Sequence, residues 1–447
     1  MSRFISYPVY KVSSVEWLGQ IPEKWEVKPF KACIKFQEGP GIMATDFCES
    51  GIPLLRVSGM KGRWATLDGC NYLDVNKVSR QWAHFKLVRG DLLISASASM
   101  GTVCEVGEEA EGAIAYTGLI RLRGIENIMI KSFIRLLIGS SIFTTQIELF
   151  KTGSTIQHFG PTHLSQMKIV CPPIKEQHKI VDYIDCETTR IDALVEQKTR
   201  FIELLREKRQ ALITRAVTKG LDSQVKLKDC DVEWLGQVPE HWRVTLIKHL
   251  TKHIGSGKTP TGGAEVYQDD GVIFLRSQNV HDDGLRLEDV AYISEEIDCT
   301  MKGSRVQKGD VLLNITGASI GRSCLVPENM GSANANQHVC IIRGKDESVS
   351  AWLAECCLSG LIKEQIEFAQ NGAGREGLNF EQIANMVIAV PPEAERKEIS
   401  DWLTTQREHL NSLINKTEQS IQLLKERRTA LITAAVTGKI DLREVVQ

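Results

Sequence analysis

The residues in this 447-residue chain that most resemble reactive chemistry are Gly255-Ser256-Gly257-Lys258-Thr259, a run that could cradle a phosphate. A nucleotide-binding loop needs another glycine five positions before its second one; position 252 is Lys, and Pro260 stands where the loop's helix should continue. The run reads instead as a glycine-rich turn, with Lys258 still able to touch a phosphate. The twelve cysteines contain no C-x-x-C pair, only Cys356 and Cys357 being close, and they sit in apolar contexts that suit reduced, buried thiols. His158, His163, His178 and His338 are scattered and make no zinc-spaced set. There is no G-x-G-x-x-G after a strand, and the Pro-Pro pairs are followed by Ile174 and Glu393, which does not match the Pro-Pro-aromatic box of amino-methylating enzymes. No catalytic, metal or cofactor site is expected on this chain. What remains is hydrogen-bonding chemistry, from Arg, Lys, Asn, Gln, Ser and Thr in glycine-flanked loops.

Those loops hang on a duplicated frame. VEWLGQIPEKW from Val15 to Trp25 returns as VEWLGQVPEHW from Val232 to Trp242, and LLREKRQALITRAVTKGLD from Leu204 returns as LLKERRTALITAAVTGKID from Leu423, 219 positions later. After each W-L-G opening come short β-like runs broken by glycines and turns. Cys171-Pro172-Pro173 and Val390-Pro391-Pro392 then stop a strand and supply a proline suited to a helix start. Beyond them Ile184, Ile191, Leu205 and Leu212 fall at sevenfold spacing, with Leu194, Val195, Phe201 and Ile202 between; Leu403, Leu410, Leu424 and Leu431 repeat the pattern. Helices of roughly 40 residues, about 60 Å long, must bury such a stripe on something. Packing on each other is the economical solution, with Lys198 and Thr417 as polar residues that could fix register, although each helix could instead cover its own globular region.

The predicted fold class is α+β: two globular regions of mixed α/β structure separated by two long antiparallel coiled-coil-like helices in a pseudo-twofold tandem repeat. The expected segments are 1–171 for the first globular region, 172–218 for the first long helix and 219–231 for a linker. The second globular region is expected at 232–390, the second long helix at 391–437 and the tail at 438–447. The tail matches the stretch that follows the first helix, which predicts that the chain ends lie close together. With 42% hydrophobic and 25% charged residues the composition is that of an ordinary globular protein. No apolar run reaches the roughly 18 residues of a membrane span, and the first residues lack a signal-peptide core, so a cytoplasmic location is expected.

The ordered motifs are similar to those of the DNA-specificity subunits of type I restriction-modification systems. The resemblance rests on GDVLLNITGASIGRSCLVPENMGSANANQHVCIIR from Gly309 to Arg343, GSGKTPTGG from Gly255, PPEAERKEISDWL from Pro391 and ALITAAVTGKIDLRE from Ala430. The first half matches more loosely, through GDLLISASASMG from Gly90 and CPPIKEQHKIVDYID from Cys171, and has GPGIMATD in place of GSGKTPTGG. The resemblance implies two target-recognition domains, double-stranded DNA as ligand and two methyltransferase subunits as partners, joined where restriction occurs by a translocase-nuclease subunit. It also implies S-adenosylmethionine on the methyltransferase subunits, ATP and Mg on a restriction subunit, and none of these on this chain. The net charge of −2 is unusual for a nucleic-acid binder, so DNA binding would rest on local basic patches or on partners. The same charge favours the alternative, a helical scaffold that recruits partners without reading sequence.

Base edges are read by donor and acceptor patterns that Arg, Lys, Asn, Gln, Ser and Thr can match. Aligned through Arg123-Gly124 and Arg343-Gly344, the halves differ most where such residues stand. Tyr116 and Thr117 face Asn336 and Gln337 beside Asn334 and His338; Ser95 and Ser97 face Asn314 and Thr316; Lys61 lies in the stretch facing Gln278 and Asn279. Two unequal half-sites are expected. Arg56 with Arg276 and Ser99 with Ser319 are shared, and so suit phosphate contact or the fold better than base discrimination; Lys258 and Thr259 join the list from the glycine-rich turn. Asn and Ser beside glycine also cap turns, so each has a purely structural alternative.

Overall fold

The computed structural model describes residues 5–97, 101–151, 159–232, 234–370 and 377–444. Ser99 and His158 lie outside them. The chain forms two compact units, one holding residues up to Lys198 with those from Gln419 onward, the other Thr199–Glu418.

Two long helices, α1 (Ile174–Lys219) and α2 (Glu393–Val436), are each divided between the units. Their expected spans were 172–218 and 391–437. Each starts where proline ends a strand: the carbonyls of Pro173 and Pro392 accept from the amides of Glu176 and Arg396 at 2.8 and 2.9 Å. Each ends at a glycine with φ of +72°, Gly220 and Gly438, the left-handed conformation that closes a helix without a Cβ penalty.

In the first unit the start of α1 and the end of α2 run antiparallel. Lys179 Nζ donates to the Arg443 carbonyl, and further along Arg428 Nε pairs with Asp192 at 3.0 Å. Ile180, Val181 and Ile184 share one core with Leu431, Ile432, Ala435 and Val436 and with Trp25, Phe30 and Phe133 of the globular region. The second unit has the same design from the complementary parts: Ile213, Ala216 and Val217 of α1 and Ile399 and Leu403 of α2 enclose Trp242 and Trp352. Each globular region therefore rests on both helices at once, so the two packing solutions open from sequence are combined. Leu194 and Phe201, at 45% and 46% exposure, lie outside the seam. A helix facing one helical neighbour covers a narrower stripe than the apolar pattern here offers.

The W-L-G-x-x-P-x-x-W opening works as a clamp. Trp25, fully buried, donates its indole N–H to Glu176 Oε2 in the first turn of α1 at 2.7 Å, and Trp242 donates to Glu395 Oε1 in the first turn of α2 at 3.0 Å. The ends of the opposite helices close onto the same rings, since a Cβ at Gly438 would stand 3.2 Å from Trp25 and one at Gly220 3.3 Å from Trp242. The Asp441 amide donates to the Ile5 carbonyl at 2.7 Å and Tyr10 Oη to the Gly438 carbonyl at 2.9 Å, so the two ends of the described chain meet in the first unit.

Each globular region carries two small four-stranded sheets. In the first unit one runs Ile34–Glu38, Leu119–Gly124, Leu92–Ser95, Val103–Glu105; in the second the same order is Thr251–Ser256, Val339–Gly344, Val311–Asn314, Ser323–Leu325. The other sheet of each contains a parallel pair, with Leu54 opposite Ile114 in the first unit and Phe274 opposite Asn334 in the second. Both partners differ by 220 positions, so the ladder register is the same in the two halves. A bidentate ion pair recurs as well: Asp91 holds Arg123, and fully buried Asp310 takes Arg343 Nε and Nη2 at 2.7 and 2.8 Å. No single described helix is long and apolar enough to cross a membrane; the bent pair Lys131–Ile138 and Ser141–Phe150 passes on length and composition, with most of its apolar residues in the first core.

Candidate nucleic-acid interface

Three strands of the second half, Val272–Leu275, Val311–Asn314 and Ala333–Ala335, end close together, because the amides of Asn336 and Ile315 donate to the carbonyls of Leu275 and His338 at 2.8 and 3.0 Å. The loops that leave them carry most of the candidate readers. The equivalent strands of the first half end alike, with the Tyr116 amide on the Leu55 carbonyl at 3.0 Å.

Burial divides the candidates sharply. Asn334 is fully buried, its amide spent on Asp298 Oδ1 and the Met301 carbonyl at 2.9 and 3.1 Å while its oxygen takes the Ala335 amide at 3.0 Å. Asn314 is equally buried and bridges the Ser277 carbonyl, at 2.8 Å, to Ser319 Oγ, at 3.2 Å. Asn279 donates to the Arg286 carbonyl at 2.9 Å and accepts from the Arg276 amide, and Asn336 accepts from the His338 amide at 3.0 Å. Ser95, also buried, donates to the Ser97 carbonyl at 2.6 Å, Ser97 itself being half-buried. In these five residues the hydrogen-bonding capacity shapes the loops from within.

Others face solvent. Gln337 is exposed, its amide 3.4 Å from His338 Nε2, while His338 Nδ1 shares a hydrogen bond of 2.6 Å with Thr316 Oγ1. Gln278 is exposed and reaches Asp289 at 3.1 Å. In the first half Thr117 is exposed, its hydroxyl on the Pro40 carbonyl at 2.8 Å, and Lys61 stands 3.5 Å from Asp68 with both side chains largely in solvent. Arg56 and Arg276 are half-buried: Arg56 donates to Asn71 Oδ1 at 2.7 Å and lies 4.6 Å over the Tyr116 ring, and Arg276 donates to the Asp289 carbonyl and lies 5.7 Å over Tyr267. The two arginines occupy equivalent positions but stack on tyrosines that do not correspond, Tyr116 aligning with Asn336 and Tyr267 with Phe47. Lys198 is half-buried, and the Thr417 hydroxyl donates to the Leu413 carbonyl one turn back on its own helix at 2.7 Å.

The glycine-rich turn does not point its amides at a ligand. Gly257 and Lys258 donate their N–H groups to the carbonyls of Val339 and Ala335 at 3.0 and 2.9 Å, and a Cβ on Gly257 would stand 2.0 Å from the Ala335 oxygen. The glycine is there because two backbones touch, as at Gly39, where a Cβ would meet Ala115 equally closely. Lys258 is exposed, and the buried Thr259 hydroxyl has no partner among the described residues.

Two exposed features escaped the sequence reading. Arg322, three residues beyond Ser319, aligns with Thr102, so comparison of the halves by chemical type passed over it. Trp64 is 48% exposed with the Arg63 guanidinium 5.3 Å over its ring, a solvent-facing cation–aromatic pair whose signal was an aromatic residue directly after the polar stretch Lys61-Gly62-Arg63.

The arrangement places exposed donors and acceptors on strand-end loops, and no group of His, Cys, Asp or Glu among the described residues has metal-binding geometry. The family profile described as "Type I restriction modification DNA specificity domain" matches residues 22–204 and 239–423. The chain is 23% identical over 306 residues to the type I restriction enzyme EcoBI specificity subunit of Escherichia coli, covering 67% of this chain and 64% of that one. It is 21% identical over 434 residues to the type I restriction enzyme MjaVIII specificity subunit of Methanocaldococcus jannaschii, covering 95% of each. A solved structure bearing on complex assembly and conformational transition of a type I R-M system superposes with a TM-score of 0.69 at 16% identity, over 93% of this chain and 98% of that one, a likeness of fold.

Proposed function

Because this chain belongs to the type I restriction modification DNA specificity domain family, we propose that it is the sequence-specific DNA-recognition subunit of a type I restriction-modification complex. Each globular region reads one half of an asymmetric bipartite target, and partner subunits carry out adenine methylation or restriction. The observation that carries this reading is a shared ladder register, offset by 220 positions in both partners, combined with different exposed side chains at equivalent loop positions. Thr117 stands in one half where Gln337 stands in the other, and Lys61 where His281 stands. Equal frames present unequal readers.

Gln278, Gln337, His338 and Thr316 are the base-contacting set proposed for the second half, and Lys61, Thr117 and Ser97 for the first, since exposed or half-buried side chains exchange water for base edges at less cost than buried ones. Lys258, Arg56 and Arg276 suit phosphates, which position a protein without specifying sequence. Catalysis belongs to the partners: two methyltransferase subunits that carry S-adenosylmethionine and, where restriction occurs, a subunit that uses ATP and Mg. Sequencing modified adenines in a host that expresses this chain with its methyltransferase partner tests the assignment. A bipartite motif with an unspecified spacer is the expected result; its absence would leave the helical scaffold as the better reading.

A further inference from the structure

The second unit contains a polar cleft of about 660 Å³ walled by α1, α2 and the loops of its globular region. Arg206 and Arg209 enter from α1, Arg286 from just beyond the short strand Gly284–Leu285, and Arg322 from the turn after Ser319. Three acids also line it, and two of them pair with the cleft's own Arg286 and Arg206, which leaves Arg209 and Arg322 as its uncompensated cations. Asp282 takes Lys363 Nζ at 2.8 Å and the Ser323 amide at 3.0 Å, Asp283 reaches Arg286 at 3.4 Å, and Glu418 reaches Arg206 at 3.2 Å. Arg209 donates to Asn411 Oδ1 at 2.7 Å, a partner that orients the guanidinium and leaves its charge uncompensated. Arg322 is exposed and has no side-chain partner among the described residues.

The first unit supplies an internal comparison. Arg209 corresponds, 219 positions on, to Arg428, and Asn411 and Asn415 correspond to Asp192 and Glu196. In that unit Arg428 is held by the Asp192 carboxylate, with Nε–Oδ1 of 3.0 Å. At these helix positions an arginine therefore stands beside two acids in one half and two asparagines in the other. The basic cleft also shares its loops with the proposed readers, His281 bonding the Gln278 carbonyl at 2.9 Å and Arg322 following Ser319.

We propose that this cleft holds the DNA phosphate backbone next to the second half-site, with arginines of a spacer helix and of the recognition region gripping phosphates whose bases are not read. The proposal rests on the DNA-recognition reading above. In a bipartite target the bases between half-sites are unspecified, so only backbone contacts can fix that stretch.

The test uses the full complex with its methyltransferase partner, fluorescently labelled duplexes and binding measured from 50 to 200 mM salt. Each phosphate contact contributes about 0.9 to the slope of log K against log salt, so Arg209→Gln and Arg322→Gln should each flatten the slope by about 1 and the two together by about 2. The methylated motif should stay unchanged, as should the slopes of Arg209→Lys/Arg322→Lys, which keeps the charge, and of Arg200→Gln, which lies outside the cleft. A wild-type slope in the glutamine variants would overturn the track, as would a flattened slope in the lysine pair, since that loss cannot come from charge. A scrambled duplex reports the same slopes even if the wild-type complex modifies no bipartite motif, so failure of the track is distinguishable from failure of the recognition assignment.

Discussion

Within five residues of the second half, from Asn334 to His338, specificity and stability should separate. Asn334→Ala removes three buried hydrogen bonds, to Asp298 Oδ1, the Met301 carbonyl and the Ala335 amide. Asp298 keeps Arg305 and the Ala335 amide keeps no comparable acceptor, so a loss of about 3 to 5 kcal/mol is expected from groups left unsatisfied at about 1 to 3 kcal/mol each. That is a large share of the roughly 5 to 15 kcal/mol that stabilises a domain. Gln337→Ala, on an exposed side chain, should change stability by less than about 0.5 kcal/mol. It should instead weaken discrimination at one base pair by about 1 to 3 kcal/mol, which is tenfold or more in the ratio of modified sites. Urea titration of the chain gives the first quantity, and adenine-modification sequencing with the partner subunits gives the second. The reasoning is refuted if Asn334→Ala keeps wild-type stability and shifts one base of the motif, because a fully buried amide would then be reading DNA.

Three further outcomes are expected. Gly257→Ala should destabilise the second unit by more than about 2 kcal/mol, because its Cβ would stand 2.0 Å from the backbone oxygen of Ala335; a variant with an unchanged melting curve would show that the two backbones do not touch there. Burial opposes ionisation of Asp298, but hydrogen bonds from Arg305 and Asn334 outweigh it and hold its pKa below the ordinary carboxylate range. A depressed folded-state pKa stabilises the protein above the unfolded-state value, about 3.9, and that contribution fades as the pH falls below it. Urea midpoints should therefore drop between about pH 5 and 3, and less steeply in Asn334→Ala; equal slopes would count against the coupling. A circular permutant that joins the present ends and opens the chain between the exposed residues Ser223 and Gln224 should keep its methylated motif, since Asp441 and Ile5 already share a backbone hydrogen bond of 2.7 Å; loss of the motif from a folded permutant would contradict it.

The frame was readable because its signals are periodic and doubled. Leucine and isoleucine at sevenfold spacing mark a helix whatever it packs on, and a proline pair before each marks its start. The partner of each element was less readable. Trp25 and Trp242 stand out as repeated letters, yet their acceptors Glu176 and Glu395 lie 151 and 153 positions away, and no local pattern connects them. The readers were harder still, because an asparagine beside small residues serves equally to satisfy a buried loop and to meet a base. Asn334 sits in Ala333–Ala335, a strand between neighbours on both sides, and that placement was the available sign that its amide points inward. Phe201 and Leu194 look like seam residues by spacing, but period alone does not tell how wide a stripe the neighbours cover.

Electrostatics carries the division between the halves beyond the readers. A net charge of −2 over the whole chain weighs against DNA binding only if charge is spread evenly, and the long helices are not even. Replacing Asp192 and Glu196 by their counterparts Asn411 and Asn415 removes two negative charges beside an arginine at the same helical position, and Glu418 in place of Thr199 restores one, beside Arg206. Phosphates within a Debye length, about 8 Å at physiological salt, respond to that local difference and little to acids elsewhere. The first half has instead an exposed Trp64 with Arg63 stacked on it, a pair suited to flat or apolar surfaces as much as to phosphate. If the second half grips the backbone by its own arginines while the first depends more on basic surface from a partner, the two half-sites differ in salt sensitivity as well as in sequence. The asymmetry then lies in the frame's charges too, although its geometry is the same twice.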